Sequence, residues 1–303
     1  MEYGLRQRGG HTVYSKKAGI QLKAHIIRQK ITVMAVYAIF AALCVVALFP
    51  ALFMLLTSFF SPDEIVHSYG DQPMFFHLIP YELSLDGYFR VFIASPNYLM
   101  KFWNSLLITG AIVAGQVVVS CLSGYGFSLF RFPLKNFFFF IIVVIMMLPP
   151  QVLLVPQYMV LDYLGLIGSY LALIIPGAFA AFGIFLITQV FTAFPKETIE
   201  AAKVDGAGHL TILFKIVIPN CKGGIASLAI LCFIDNWNMV EQPLFFLRDF
   251  RQYPMSVFLS FINTANLGVA FACAVLAMTP VLLLYLYFND ELVHGIEKVY
   301  MPG

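Results

Sequence analysis

The chain has 303 residues, of which 60% are hydrophobic and 11% charged, with a formal net charge of +2. That balance excludes an ordinary soluble domain, and no nucleic-acid partner is expected. The solvent it suits is a lipid bilayer.

Residues 1–30 form a basic N-terminal segment with Arg6, Arg8, Lys16, Lys17, Lys23, Arg28 and Lys30. A bilayer core of about 30 Å takes about 20 apolar residues in a helix. The first charge-free interval, 31–62, supplies them and predicts a transmembrane helix over 31–60. Its apolar run is about twice as long as a signal peptide needs and no small-residue cleavage site follows, so it reads as a retained anchor. Residues 61–97 are an extracytoplasmic loop with a mildly acidic surface of Asp63, Glu64, Asp71, Glu82 and Asp86. His67 and His77 lie in this loop. Two histidines without further ligands read as solvated surface, and no metal site is expected.

Residues 98–290 form the core. Charge-free intervals at 102–130, 136–161, 163–195 and 252–289, with a shorter one at 223–240 that holds a single acid, Asp235, bring the count to six spanning helices. The alternating ten-residue segments of a membrane barrel are absent, so the fold class is an all-α integral membrane protein. Gly110 with Ala114, Ala111 with Gly115 and Ser120 with Gly124 predict that the second helix packs closely on a neighbour. Pro149, Pro150, Pro156, Pro176 and Pro280 predict kinks. A second long outer loop runs over 241–266, and residues 291–303 form a tail.

Between the fourth and fifth spans lies a charged, helix-prone segment, 194–219. Pro195 suits a first helical turn, the run from Lys196 to Lys203 propagates it, and Gly206 ends it. Leu210, Leu213, Phe214 and Val217 predict one face of a second short helix, with Pro219 at its far end. With both termini in the cytoplasm, fourteen of the 18 Lys and Arg residues fall inside, and only Arg90, Lys101, Arg248 and Arg251 outside. The positive-inside bias therefore makes 194–219 cytoplasmic and sets Trp103 and Trp237 at the outer interface.

The five cysteines, Cys44, Cys121, Cys221, Cys232 and Cys273, have no metal-ligand spacing and read as small apolar packing residues. No phosphate-binding loop occurs, so no catalytic residue or cofactor is expected in this chain. Any ATP it uses is held by another chain.

The stretch Glu200-Ala201-Ala202, Asp205-Gly206-Ala207, then Ile216 and Pro219 resembles the signature loop of permease subunits of bacterial ABC importers. Arg131-Phe132-Pro133, Leu148-Pro149, Val155-Pro156, Leu164-Gly165-Leu166, Trp237-Asn238 and Pro243-Leu244 are similar to its maltose-type carbohydrate branch. The resemblance covers about residues 98–290. It implies a type I importer permease in the bacterial inner membrane, carrying a carbohydrate such as an oligosaccharide. The partners it implies are a second permease in a heterodimer, two ATP-binding subunits that hold ATP and Mg, and an extracytoplasmic binding protein touched by the 241–266 loop. Glu200, Ala201, Ala202, Asp205, Gly206 and Ala207 would couple this chain to the ATPase. Ile218 stands where the family has Leu, Gly223-Gly224 promises a flexible start to the fifth helix, and the tail matches only loosely.

Asp235 lies roughly 20 Å from the inner surface by helical rise, where a carboxylate facing lipid is costly. Asp235, Asn236 and Asn238 could bond sugar hydroxyls and Trp237 could stack on a pyranose, making these four the candidate translocation-path residues. Two other readings stand: an importer for a non-sugar solute, and a stand-alone ion-coupled carrier with Asp235 as its coupling acid.

Overall fold

The computed structural model describes the backbone of residues 8–69, 77–261 and 267–300, with side chains over 30–288 of these, Pro96 excepted. Asp71, residues 262–266 of the outer loop, the side chains of the basic residues 6–28 and the final residues of the tail lie outside the described residues. The chain divides into a unit of residues 1–56 and a unit of residues 57–303. The first is one helix, α1 (Arg8–Thr57), apolar on every side from residue 31 onward.

In the second unit α2 (Pro62–Tyr69) opens the 61–97 loop, followed by α3 (Asp86–Phe89) and a π turn, Arg90–Ala94. This loop is knotted by Glu64, whose carboxylate pairs with His77 Nε2 at 2.7 Å and accepts from the Tyr81 N–H at 2.8 Å. The Tyr69 hydroxyl donates to the His77 carbonyl, and the His77 ring lies 5.2 Å from that of Phe60. His77 is therefore a half-buried anchor and not the solvated residue expected. Burial raises the Glu64 carboxyl, but the bonds from His77 and Tyr81 outweigh it and leave the group below its ordinary value.

α4 (Pro96–Leu129) is the central helix. Pro96 starts it at a position that needs no N–H, and Ser95 before it is extended, as the proline ring requires. α5 (Lys135–Met147) and α6 (Pro150–Tyr163) follow, bent by 111° at Leu148 and Pro149. Leu148 and Pro149 each precede a proline and are extended, so the kink expected at Pro149 and Pro150 is a full break that divides the 136–161 interval between two short helices. The next stretch turns on Gly165 and Gly168, both at positive φ, which delays helix until α7 (Leu171–Ala178) and α8 (Ala181–Thr192).

Then come α9 (Lys196–Val204), α10 (His209–Ile212), a π turn over Leu213–Val217, α11 (Ile218–Asn220) and α12 (Lys222–Trp237). The 241–266 loop holds α13 (Glu241–Phe246) and α14 (Met255–Ser260) before α15 (Leu267–Tyr300). The sixth span thus starts at Leu267, well after residue 252, because Met255–Ser260 form a separate short helix. Among the described residues four helices are long and apolar enough to cross a membrane, or six if each bent pair, α5–α6 and α10–α12, is one span.

Small residues set the spacing around α4. A methyl group on Gly115 would lie 2.7 Å from the Ala178 Cβ, and one on Gly124 would lie 2.8 Å from Ile187 and 3.1 Å from its backbone carbonyl carbon. The expected neighbours are therefore α7 and α8. Gly110 and Ala114 instead face outward. Gly224, expected to loosen α12, lets it close on α8, since a methyl there would meet Val190 at 2.7 Å.

Candidate coupling segment and translocation-path residues

α9 ends in a Schellman motif: the Ala207 N–H bonds the Ala202 carbonyl and the Gly206 N–H bonds that of Lys203, both at 3.0 Å. The motif puts Gly206 at φ +82°, so a side chain there strains the backbone even though nothing lies within 4 Å of its would-be Cβ. Ile199 and Ala202 turn inward and join Cys121 and Tyr125 of α4, Ile187 and Phe191 of α8, and Leu228 of α12 in one buried cluster. Glu200, Ala201, Lys203 and Asp205 are exposed. Of the two alanines, Ala201 alone faces away from the chain.

The second half of the segment departs from a plain α-helix. Pro219 has no N–H to give Lys215, and the Ile218 N–H bonds Leu213 five residues back, which makes the π turn. The wider turn rotates the buried stripe to Ile212, Leu213 and Val217. Leu210 and Phe214, expected beside them, are 66% and 58% exposed. Cys221 then breaks the path into α12 with a 78° bend, while its N–H bonds Val217 at 2.9 Å and its side chain is buried. The link from segment to membrane helix is direct but sharply turned.

At the far end of α12 the four candidate path residues separate. Asp235 is exposed and makes no hydrogen bond or ion pair among the described residues. Leu231, Asp235 and Asn238, four and three residues apart, form one exposed stripe. The Asn236 and Asn238 amides donate back to the Cys232 and Ile234 carbonyls, both at 2.8 Å. Trp237 is only 4% exposed; its indole N–H donates to the Ala277 carbonyl at 2.9 Å and its ring stacks on Phe233 at 5.3 Å.

The family model for the binding-protein-dependent transport system inner membrane component matches residues 108–297. This chain belongs to that family. The arabinooligosaccharides transport system permease protein AraQ of Halalkalibacterium halodurans is 30% identical to the permease, over 85% of this chain and 92% of that one. The lactose transport system permease protein LacG of Rhizobium radiobacter is 26% identical over 89% and 97% of the two chains. The sn-glycerol-3-phosphate transport system permease protein UgpE of Brucella abortus is 29% identical over 65% and 71%. In fold, the permease matches a chain of a bacterial ABC transporter involved in the import of the acidic polysaccharide alginate, with a TM-score of 0.75 over 86% of this chain and 96% of that chain at 23% identity.

The permease is accordingly a transport component and not an enzyme. The structure gathers Glu200, Ala201, Asp205 and Gly206 on the open side of one turn, and withdraws Ala202 and Trp237 into the chain's own packing. Sequence reasoning missed Val204, 88% exposed beside Asp205, and the Tyr125–His209 contact described below. An apolar residue next to a helix-ending Asp-Gly was the available sign of the first; nothing local announces the second.

Proposed function

We propose that the permease is one half of the membrane domain of an ATP-driven importer for a carbohydrate, an oligosaccharide in size. It docks its 194–219 segment on an ATP-binding subunit on the cytoplasmic side, pairs with a second permease, and receives cargo from a binding protein outside. The observation that carries this is the two-sided build of the segment. Its buried face is keyed into α4, α8 and α12, while its open face offers two carboxylates, Glu200 and Asp205, beside exposed Val204, Leu210 and Phe214. A protein interface of this kind combines apolar anchors with charge-assisted bonds. The sequence lacks a phosphate loop, so ATP and Mg belong to the partner. The names of the AraQ and LacG relatives favour a sugar as cargo. The UgpE relative supports a second reading, a phosphorylated polyol.

Purification in mild detergent, identification of copurifying subunits and ligand-stimulated ATPase assays test the proposal. Stimulation by oligosaccharides with their binding protein is the expected result. Stimulation by sn-glycerol-3-phosphate alone would change the cargo, and uptake by the purified chain without an ATPase would overturn the mechanism.

A further inference from the structure

One turn near the start of α4 presents three side chains, Lys101, Asn104 and Ser105, and all three hold the backbone of residues 250–255. Lys101 Nζ donates to the Phe250 carbonyl at 2.9 Å and sits 3.7 Å from the centre of the Phe250 ring. Asn104 Nδ2 donates to the Arg251 carbonyl at 2.7 Å, and its Oδ1 accepts from the Tyr170 hydroxyl at 3.1 Å. The Met255 N–H donates to Ser105 Oγ at 2.8 Å. Spacings of three and four put these side chains on one helix face. Lys101 is 2% exposed. A buried ammonium is retained only where something is gained for its desolvation. Here it fixes a loop 149 residues away in sequence.

The loop is also braced from within. Asp249 Oδ1 accepts from the Arg251 N–H at 2.8 Å, which caps the short turn Phe250–Gln252, and Leu247 is buried at its base. Arg248, Asp249, Phe250 and Arg251 nonetheless stay exposed. Tyr125, which meets the coupling segment, lies 24 residues beyond Lys101 on α4, roughly 36 Å along the helix. The braced turn is therefore at the end of α4 opposite the ATPase-facing segment.

Arg248 lies 3.9 Å from the Asp162 carboxylate, while Arg251 makes no ion pair among the described residues. We propose that Lys101 and Asn104 are positioning residues that preform the Arg248–Arg251 turn as a docking surface for the extracytoplasmic binding protein, with Arg251 pairing with a carboxylate on it. This rests on the reading under Proposed function. A loop ordered in advance loses little conformational freedom when a partner binds, so the clamp raises affinity without adding a contact. The clamp acts on docking and not on the later turnover.

The test uses the complete complex in lipid nanodiscs, with ATPase rate measured against binding-protein concentration for wild type, Lys101→Met and Asn104→Ala. The half-saturating concentration rises about tenfold, equivalent to about 1.4 kcal/mol, while the maximal rate holds within about twofold. Amide exchange over 250–255, measured without binding protein, becomes faster. Faster exchange with an unchanged half-saturating concentration overturns the proposal. If Lys101→Met does not assemble, Asn104→Ala decides alone. A wild-type complex that no binding protein stimulates overturns the functional reading and this role with it.

Discussion

Tyr125 of α4 and His209 of α10 share a hydrogen bond, Oη to Nδ1 at 3.3 Å, with their rings 6.3 Å apart and nearly perpendicular. Phe130 closes on the same imidazole at 4.8 Å. The coupling segment is thus tied laterally to the helix at the centre of the bundle, in addition to its chain connection through Cys221. Two routes therefore link the segment to the long helices: the chain through Cys221 and the Tyr125–His209 contact.

Tyr125→Phe keeps the ring and loses one bond, at a cost of about 0.5–1.5 kcal/mol. Tyr125→Ala empties a buried site and costs about 3–5 kcal/mol. The first variant retains the ATPase on copurification with a slightly lower melting temperature; the second loses both ATPase and uptake. Loss of ATPase and uptake in Tyr125→Phe as well would show that the hydroxyl, not the packing, makes the tie, and their retention in Tyr125→Ala would show that neither does.

Gly206 gives a sharper separation of fold from docking. Ala there costs about 1–2 kcal/mol through its left-handed backbone, and Asn, which tolerates that region, costs less. Because nothing among the described residues lies within 4 Å of a Cβ at 206, and Asp like Asn tolerates the left-handed region, Gly206→Asp inserts and melts no lower than Gly206→Ala. It adds a third acid beside Glu200 and Asp205 and abolishes uptake by uncoupling or releasing the ATPase. Normal uptake in Gly206→Asp would remove the segment from the coupling role.

On α12, Asp235→Asn and Trp237→Phe are expected to diverge. The path reading of the exposed Asp235 predicts that its neutral variant shifts the KM of uptake several-fold at unchanged stability. Trp237→Phe leaves the Ala277 carbonyl without its indole donor, at a cost of about 1–3 kcal/mol, and lowers Tm while KM stays. Uptake titrations and melts on the same preparations separate the two, and a KM change confined to Trp237→Phe would reverse the assignment.

The Glu64 knot weakens in acid. A carboxyl held below its ordinary value of 4.5 contributes stability above that pH and loses it as pH falls through the lower, folded value. Protection of the amides around Tyr81, corrected for intrinsic exchange, therefore falls in wild type as pH drops below 4.5 and through the lower, folded value. Glu64→Gln exchanges fast already at neutral pH and loses that acid step. An acid step of the same size in Glu64→Gln would place its origin elsewhere.

The sequence by itself determined that this is a helical membrane protein, where its apolar intervals lie, and where a polar segment interrupts them. Lipid requires every backbone group to be bonded within a helix, so hydropathy and the Asp205-Gly206 stop signal are local properties that read directly. The tertiary structure decided the rest. It showed that the kink expected at Pro149 and Pro150 is a 111° break, that Trp237 serves the chain's own packing while Asp235 stays open, and that Phe214 and Val217 take opposite sides of a π turn. It also showed that Lys101, read as one of four outer charges, is a buried clamp. The reason is physical. Lipid tails and a protein interior are equally apolar, so composition names the solvent a residue avoids but not the partner it meets.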